Sequence, residues 1–169
     1  DFFFFFRQTV KAHGGEFYLC GEVWEDASCK LSYVARRSFL LGKQLDSVMN
    51  YPVRSAVLQF LKTGNGPQAA DLFLTLAAHY PPPALHTLMN LLSTHDTPRA
   101  ATALCGKEMA GQPRALQAAV RLTAPERARA SALMRLGFAL LFFLPGVPVI
   151  YYGDEIAMEG CADPFNRAY

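Results

Sequence analysis

Four short apolar runs, residues 17–20, 45–49, 88–92 and 147–151, each end in a polar, ionisable loop, and helical segments separate them. Runs this short and this uniformly apolar suit strands buried on both faces. Strands of that kind belong to a parallel sheet, whose long connections are supplied by helices. The order of elements therefore allows part of a (β/α)8 barrel or a doubly wound sheet, an α/β chain in either case. Both architectures gather functional groups on loops beyond the C-terminal ends of the strands. No GxGxxG fingerprint follows any run, which lowers the dinucleotide-binding reading.

The intervening segments carry helix signals. Residues 2–13 place Arg7 and Lys11 four apart on a polar face and stop at Gly14-Gly15. Residues 33–41 read as a short helix closed by Gly42. Pro52 falls in the first turn of a helix running to about residue 62, and Gly64-Asn65-Gly66 stops it. A further helix over 68–79 is broken by Pro81-Pro82-Pro83, with a short helical piece after it, and 97–104 is also expected to be helical. Thr123-Ala124-Pro125-Glu126 is a capping box opening a helix that reaches about residue 143 and ends before Pro145-Gly146.

Composition bounds the function. With 169 residues, 51% apolar and 18% charged, the chain suits one domain with a substantial core. A net charge of +2 is too small and too scattered to suggest nucleic acid, and Arg127, Arg129 and Arg135 are spaced as a solvated helix face. Cys20, Cys29, Cys105 and Cys161 form no CxxC pair and no metal-ligand spacing with histidine, so neither zinc nor a disulfide framework is expected. The longest apolar stretch, 136–152, is interrupted by Pro145, Gly146 and Pro148, and so does not read as a membrane span. With no visible signal peptide and scattered thiols, a cytoplasmic location is expected. Five consecutive phenylalanines, Phe2 to Phe6, with no methionine before them suggest a chain cut from something longer.

Three strand-end constellations could carry chemistry. In Gly21-Glu22-Val23-Trp24 a carboxylate stands between glycine and aromatic neighbours. Apolar surroundings would favour its protonated form, as a general acid requires, and Trp24 offers a flat face for a sugar ring. The plainer alternative is a surface Glu and a core Trp. In Ser93-Thr94-His95-Asp96 a second carboxylate accompanies an imidazole able to donate to a sugar hydroxyl, or to be satisfied in the core. Two carboxyl groups across a glycosidic bond are the minimal apparatus of glycoside hydrolysis. Beyond the last run, Asp163 and Arg167 pair a carboxylate with a planar guanidinium, which suits polyhydroxylated ligands or an ordinary surface ion pair.

Taken together, these segments resemble the motif regions of the α-amylase family, glycoside hydrolase family 13. Gly21-Glu22-Val23-Trp24 is similar to the region after barrel strand five, and Leu-Leu-Ser-Thr-His-Asp-Thr-Pro-Arg at 91–99 to the region after strand seven. Residues 147–155 look like the strand-eight region, with Asp163-Pro164-Phe165-Asn166-Arg167 as the loop beyond it. The wording of 91–99, together with Met49-Asn50-Tyr51-Pro52, looks closest to the cyclomaltodextrinase, maltogenic amylase and neopullulanase branch. The co-linear motifs span nearly the whole chain.

The resemblance implies the second half of a (β/α)8 TIM barrel, about strands five to eight, with residues 1–169 as one partial catalytic domain. It implies a retaining hydrolase acting on α-1,4 and potentially α-1,6 bonds of maltooligosaccharides, cyclodextrins, pullulan or starch. Glu22 becomes the general acid/base and Asp96 the residue that binds the sugar and favours its distorted transition state. His95 becomes a ligand of substrate hydroxyls, Asp163 and Arg167 a donor-side subsite, and Trp24 a leaving-group-side contact. No cofactor or metal is implied, nor any nucleic-acid or membrane partner. Homo-oligomeric assembly of the parent is left open. The family's nucleophile, an Asp at the end of strand four, has no counterpart here, so the chain alone is expected to be inactive. A half barrel with two unpaired sheet edges is expected to self-associate. The alternative is a non-catalytic carbohydrate-binding or interaction fragment.

Overall fold

The computed structural model describes residues 2–32 and 34–167. Helix α1 (Phe2–His13) leads to strand β1 (Cys20–Gly21). An antiparallel hairpin of β2 (Leu31–Ser32) and β3 (Ala35–Arg36) follows, then strand β4 (Ser47–Val48). Helices α2 (Tyr51–Thr63), α3 (Gly66–His79) and α4 (Pro82–Leu85) connect β4 to β5 (Met89–Leu91). Helices α5 (Ala100–Leu104), α6 (Arg114–Ala119) and α7 (Ala124–Phe143) connect β5 to β6 (Val147–Val149). Two 3-10 turns, Asp154–Ile156 and Phe165–Arg167, follow β6.

The strands β1, β4, β5 and β6 lie side by side and parallel. Cys20 faces Ser47, Met49 bridges to Met89, and Met89 faces Val147. Strands of two or three residues carry few ladder bonds, and buried side chains supply the rest of the register. Asn50 Nδ2 donates to Asn90 Oδ1 at 2.8 Å, and Asn90 Nδ2 donates to the Pro145 carbonyl at 2.9 Å. Both amides are buried, where an unmet polar group would be costly. This tie spans three strands and requires Gly146: at φ +126, a Cβ there would lie 2.6 Å from Asn90 Nδ2.

The helices form where their ends are satisfied. Asn50 accepts from the Val53 amide at 3.3 Å to open α2, and Gly64, left-handed at φ 73, closes it. The capping box of α7 is reciprocal, Thr123 accepting from the Glu126 amide and Glu126 from the Thr123 amide. Inside α7, Ala130, Met134, Gly137 and Leu141 form the buried stripe, and Arg127, Arg129 and Arg135 lie on its exposed side as their spacing predicts. The stripe packs toward Val57, Leu61, Leu88, Leu92, Ala100 and Ala101 in the core. A Cβ at Gly137 would come within 3.1 Å of both Leu61 and Leu92, so the glycine permits this close approach. Helix α1 has no fully buried residue; Phe3 and Val10 pack against the core, Phe3 edge-on to Phe39 at 5.5 Å, and Arg7 and Lys11 reach Asp46 beside β4 at 2.6 and 2.9 Å.

Several sequence expectations shift. The helix expected over 33–41 is absent from the described residues of that stretch, Tyr33 lying outside them. Backbone pairing of Leu31–Ser32 with Ala35–Arg36 consumes groups a helix would need, and Val34 is left-handed at φ 63. The first strand starts at Cys20 and not at Phe17, because pairing begins where the Leu19 carbonyl accepts from the Asp46 and Ser47 amides. The helix expected over 97–104 begins only at Ala100, since Thr94 to Thr97 is taken up by a side-chain-stabilised turn. Helix α6 and the β2–β3 hairpin are additions that the apolar pattern did not mark.

Candidate active site

The loop beyond β5 is shaped by hydroxyls and one buried amide. The Thr94 amide donates to Thr97 Oγ1 at 2.9 Å and the Asp96 amide to Thr94 Oγ1 at 3.2 Å, turning the chain sharply. Asn166, fully buried in the last 3-10 turn, donates Nδ2 to the carbonyls of His95 at 2.7 Å and Thr97 at 2.9 Å, with a longer 3.4 Å contact to Thr94. Those bonds hold the turn so that the His95 and Asp96 side chains emerge into solvent.

Arg99 fixes the same loop to the segment after β6. It is fully buried, donates Nε to the Asn166 carbonyl at 2.6 Å and Nη1 to the Tyr152 carbonyl, and lies over the Tyr151 and Tyr152 rings at 4.5 and 4.6 Å. Its partner Asp154 lies 3.4 Å from Nη1. Burial pushes the Asp154 carboxyl up to about 6, against the opposing pull of Ser93 and Arg99. Arg99 and Asp154 are therefore internal struts of the rim.

Four of the residues singled out in the sequence meet here. His95 Nε2 is 3.2 Å from Asp96 Oδ2, and Arg167 Nη2 is 3.8 Å from Asp96 Oδ1. Arg167 Nε donates to Asp163 Oδ1 at 2.8 Å, while its Nη2 donates to the His95 carbonyl at 3.3 Å. The arrangement presents alternating carboxylate, imidazole and guanidinium groups on one open face, which is suited to a polyhydroxylated ligand.

Glu22 and Trp24 form a second group beyond β1. Glu22 is exposed, so the apolar enclosure expected around it is not what its surroundings provide. Its Oε1 accepts a hydrogen bond from Tyr51 Oη at 3.0 Å, and Trp24 stacks on the Tyr51 ring at 3.9 Å and 11°. Trp24 is not a core residue: its other side is open, with 50% of its surface exposed. Burial pushes the Tyr51 phenol up to about 12, with Thr94 pulling it down and the negative charges of Glu22 and Asp96 adding to the rise. Tyr51 thus feels both carboxylates and connects the two groups.

Tyr51, Asn166 and Arg99 were not marked as site residues by the sequence. Tyr51 stands directly after a strand, where functional groups collect, but Asn50-Tyr51-Pro52 read first as a helix start. Among the described residues, no group of three His, Cys, Asp or Glu side chains is placed to hold a metal ion, and no helix is long and apolar enough to cross a membrane. The four cysteines are free.

Comparison with known proteins places this chain in a family. The family model for the α-amylase catalytic domain matches residues 1–167. Neopullulanase 2 of Thermoactinomyces vulgaris is 36% identical over 164 residues, 96% of this chain and 23% of its own length. A cyclomaltodextrinase of Geobacillus thermopakistaniensis is 34% identical over 96% of this chain and 22% of its own length. Among solved structures, the cyclic α-maltosyl-(1→6)-maltose hydrolase of Arthrobacter globiformis, in complex with its cyclic sugar, superposes with a TM-score of 0.74 at 29% identity. That match covers 98% of this chain and 31% of the other. The chain spans less than a quarter of the length of these two curated relatives, and its parallel βα units are part of a (β/α)8 barrel. With residues 1–167 matched and the strand-end motifs in order, the chain belongs to the α-amylase catalytic-domain family of glycoside hydrolases.

Proposed function

We propose that the open face formed by Glu22, Trp24, His95, Asp96, Asp163 and Arg167 is the α-glucan site of a retaining glycoside hydrolase. The observation that supports this reading best is the Tyr51 connection, which brings the rim of β1 and the rim of β5 under one electrostatic influence. Glu22 protonates the glycosidic oxygen as the C1–O bond breaks, then takes a proton from the incoming water. Asp96 accepts hydrogen bonds from sugar hydroxyls and favours the oxocarbenium-like transition state. His95 donates to a hydroxyl, the Asp163–Arg167 pair forms a donor-side subsite, and Trp24 stacks on the leaving-group side.

Retention also needs a carboxylate nucleophile. We assign none of this chain's residues to that role, so the 169-residue chain by itself binds α-glucan without completing turnover. The residues form one catalytic-domain unit, and the free, scattered thiols support a reducing, cytoplasmic setting. A purely carbohydrate-binding role is favoured by one observation, the open face of Trp24 beside Tyr51. Calorimetric titration with maltooligosaccharide, cyclodextrin and pullulan tests the reading. Binding that is lost in Arg167→Ala and Asp163→Ala is expected. Absence of binding to all three saccharides would overturn it.

A further inference from the structure

Tyr51 is an unusual first residue for a helix. It is 3% exposed, its ring is the platform under Trp24, and its hydroxyl reaches out of the core to a solvent-exposed carboxylate. Three elements fix it. Its amide donates to the Met49 carbonyl at 3.1 Å, Asn50 caps the helix it begins, and Met49 Sδ lies 3.9 Å from its hydroxyl. The phenol is therefore held, whereas Glu22 is exposed just beyond a two-residue strand.

We infer that Tyr51 is a positioning residue that sets the orientation of Glu22 and of Trp24 together, so that the acid/base carboxyl and the aromatic face move as one unit. The inference rests on the reading of Glu22 as the acid/base. The single hydroxyl selects one Glu22 carboxylate oxygen, Oε1, and leaves the other free to face a substrate oxygen. A tyrosine phenol is protonated, hence a donor, throughout the neutral range, and burial widens that margin. The ionisable groups acting on the phenol are Glu22, Asp96 and, from the next turn of α2, Arg54, whose Nε is held on the Leu92 carbonyl at 2.8 Å. Protonating Glu22 replaces a charge-assisted hydrogen bond with a weaker neutral one. Through the shared ring, that change reaches Trp24.

Trp24 is the sole tryptophan of the chain, so its emission reports this unit without interference. The full chain is titrated from neutral to acid pH while Trp24 emission is followed, for the parent, Tyr51→Phe and Glu22→Gln. The parent is expected to show an emission step on acidification. Both variants are expected to lose it, although Tyr51→Phe keeps the ring, the stack and the packing. Should Tyr51→Phe fail to fold, Glu22→Gln, at an exposed position, gives the same test. A step that persists in either folded variant, or a parent with no step, overturns the inference. Maltooligosaccharide titration of the same samples separates the two claims. Failure of the parent to bind saccharide overturns the functional reading, while loss of the step in the variants still supports the coupling.

Discussion

Replacing Asn166 should loosen the tie between the β5 rim and the segment after β6, which Arg99 and Arg167 also hold, and the size of the effect follows from its bonds. The buried amide donates to three carbonyls, at 2.7, 2.9 and 3.4 Å. In Asn166→Ala the His95 carbonyl keeps the Arg167 contact at 3.3 Å, so its loss is partial. The Thr97 carbonyl loses a full bond, and the Thr94 contact is too long to count for much. One orphaned buried carbonyl costs about 1–3 kcal/mol, and the small void adds roughly 1 kcal/mol more, giving a total of about 2–4 kcal/mol. With a urea m-value of about 2 kcal/mol/M, the unfolding midpoint should fall by roughly 1–2 M at unchanged slope. Asn166→Asp preserves volume but aims a carboxylate at three carbonyl oxygens, and should be worse than alanine at neutral pH. Circular dichroism against urea, for both variants, is the assay. A midpoint within roughly 0.2 M of the parent, or an Asp variant more stable than the Ala variant, would refute the reasoning.

Other consequences follow from charge and exposure. Burial pushes the Asp46 carboxyl up, but Lys11, Arg7 and the Leu19 amide outweigh it and hold it below its ordinary value. A depressed folded pKa gives stability that is present above the ordinary carboxylate range and lost as pH falls through the folded pKa. Asp46→Asn should therefore destabilise the chain at neutral pH and less so in strong acid, read by urea unfolding at the two pH values. Asp154 behaves oppositely: with its carboxyl raised to about 6, its contribution is complete below the ordinary value of 3.8 and is lost as pH rises through about 6. That difference of about two units corresponds to about 3 kcal/mol. Asp154→Asn should flatten the stability profile across that window, as thermal unfolding at stepped pH would show. Finally, Phe2, Phe5, Phe142 and Phe143 are exposed, and β1 and β6 end the row of parallel strands among the described residues. Self-association is expected in sedimentation velocity, and a monodisperse monomer at micromolar concentration would contradict it.

The parallel order of β4, β5 and β6 was legible because the apolar runs at 45–49 and 88–92 are each followed by helix signals before the next run. The α7 capping box was equally plain, since both of its partners lie within four residues. The 33–41 segment misled because its polarity pattern tolerates a helix, whereas the local pairing of residues 31–32 with 35–36 decides the outcome. Glu22, His95, Asp96, Asp163 and Arg167 were visible as ionisable residues past strand ends. Their supports were not. Asn166 acts on carbonyls more than sixty residues earlier, and Arg99 is a buried cation whose Nε and Nη1 are met by distant backbone carbonyls while its Nη2 has no hydrogen-bond partner. Such ties leave no periodicity, and only the fold brings their ends together. Tyr51 was hidden for another reason, having a local role as a helix start that already explained its presence.

The proposal that Glu22 is an acid/base carboxyl on an α-glucan-binding rim is tested by product analysis under binding conditions. The purified chain is incubated with maltooligosaccharide at saturating concentration, and bound and released sugars are followed by calorimetry and chromatography. Saccharide binding with no cleavage products, in both the parent and Glu22→Gln, is the predicted result. Products released by the parent and abolished in Glu22→Gln would show that the chain completes the reaction itself. Absence of saccharide binding would contradict the assignment of the rim.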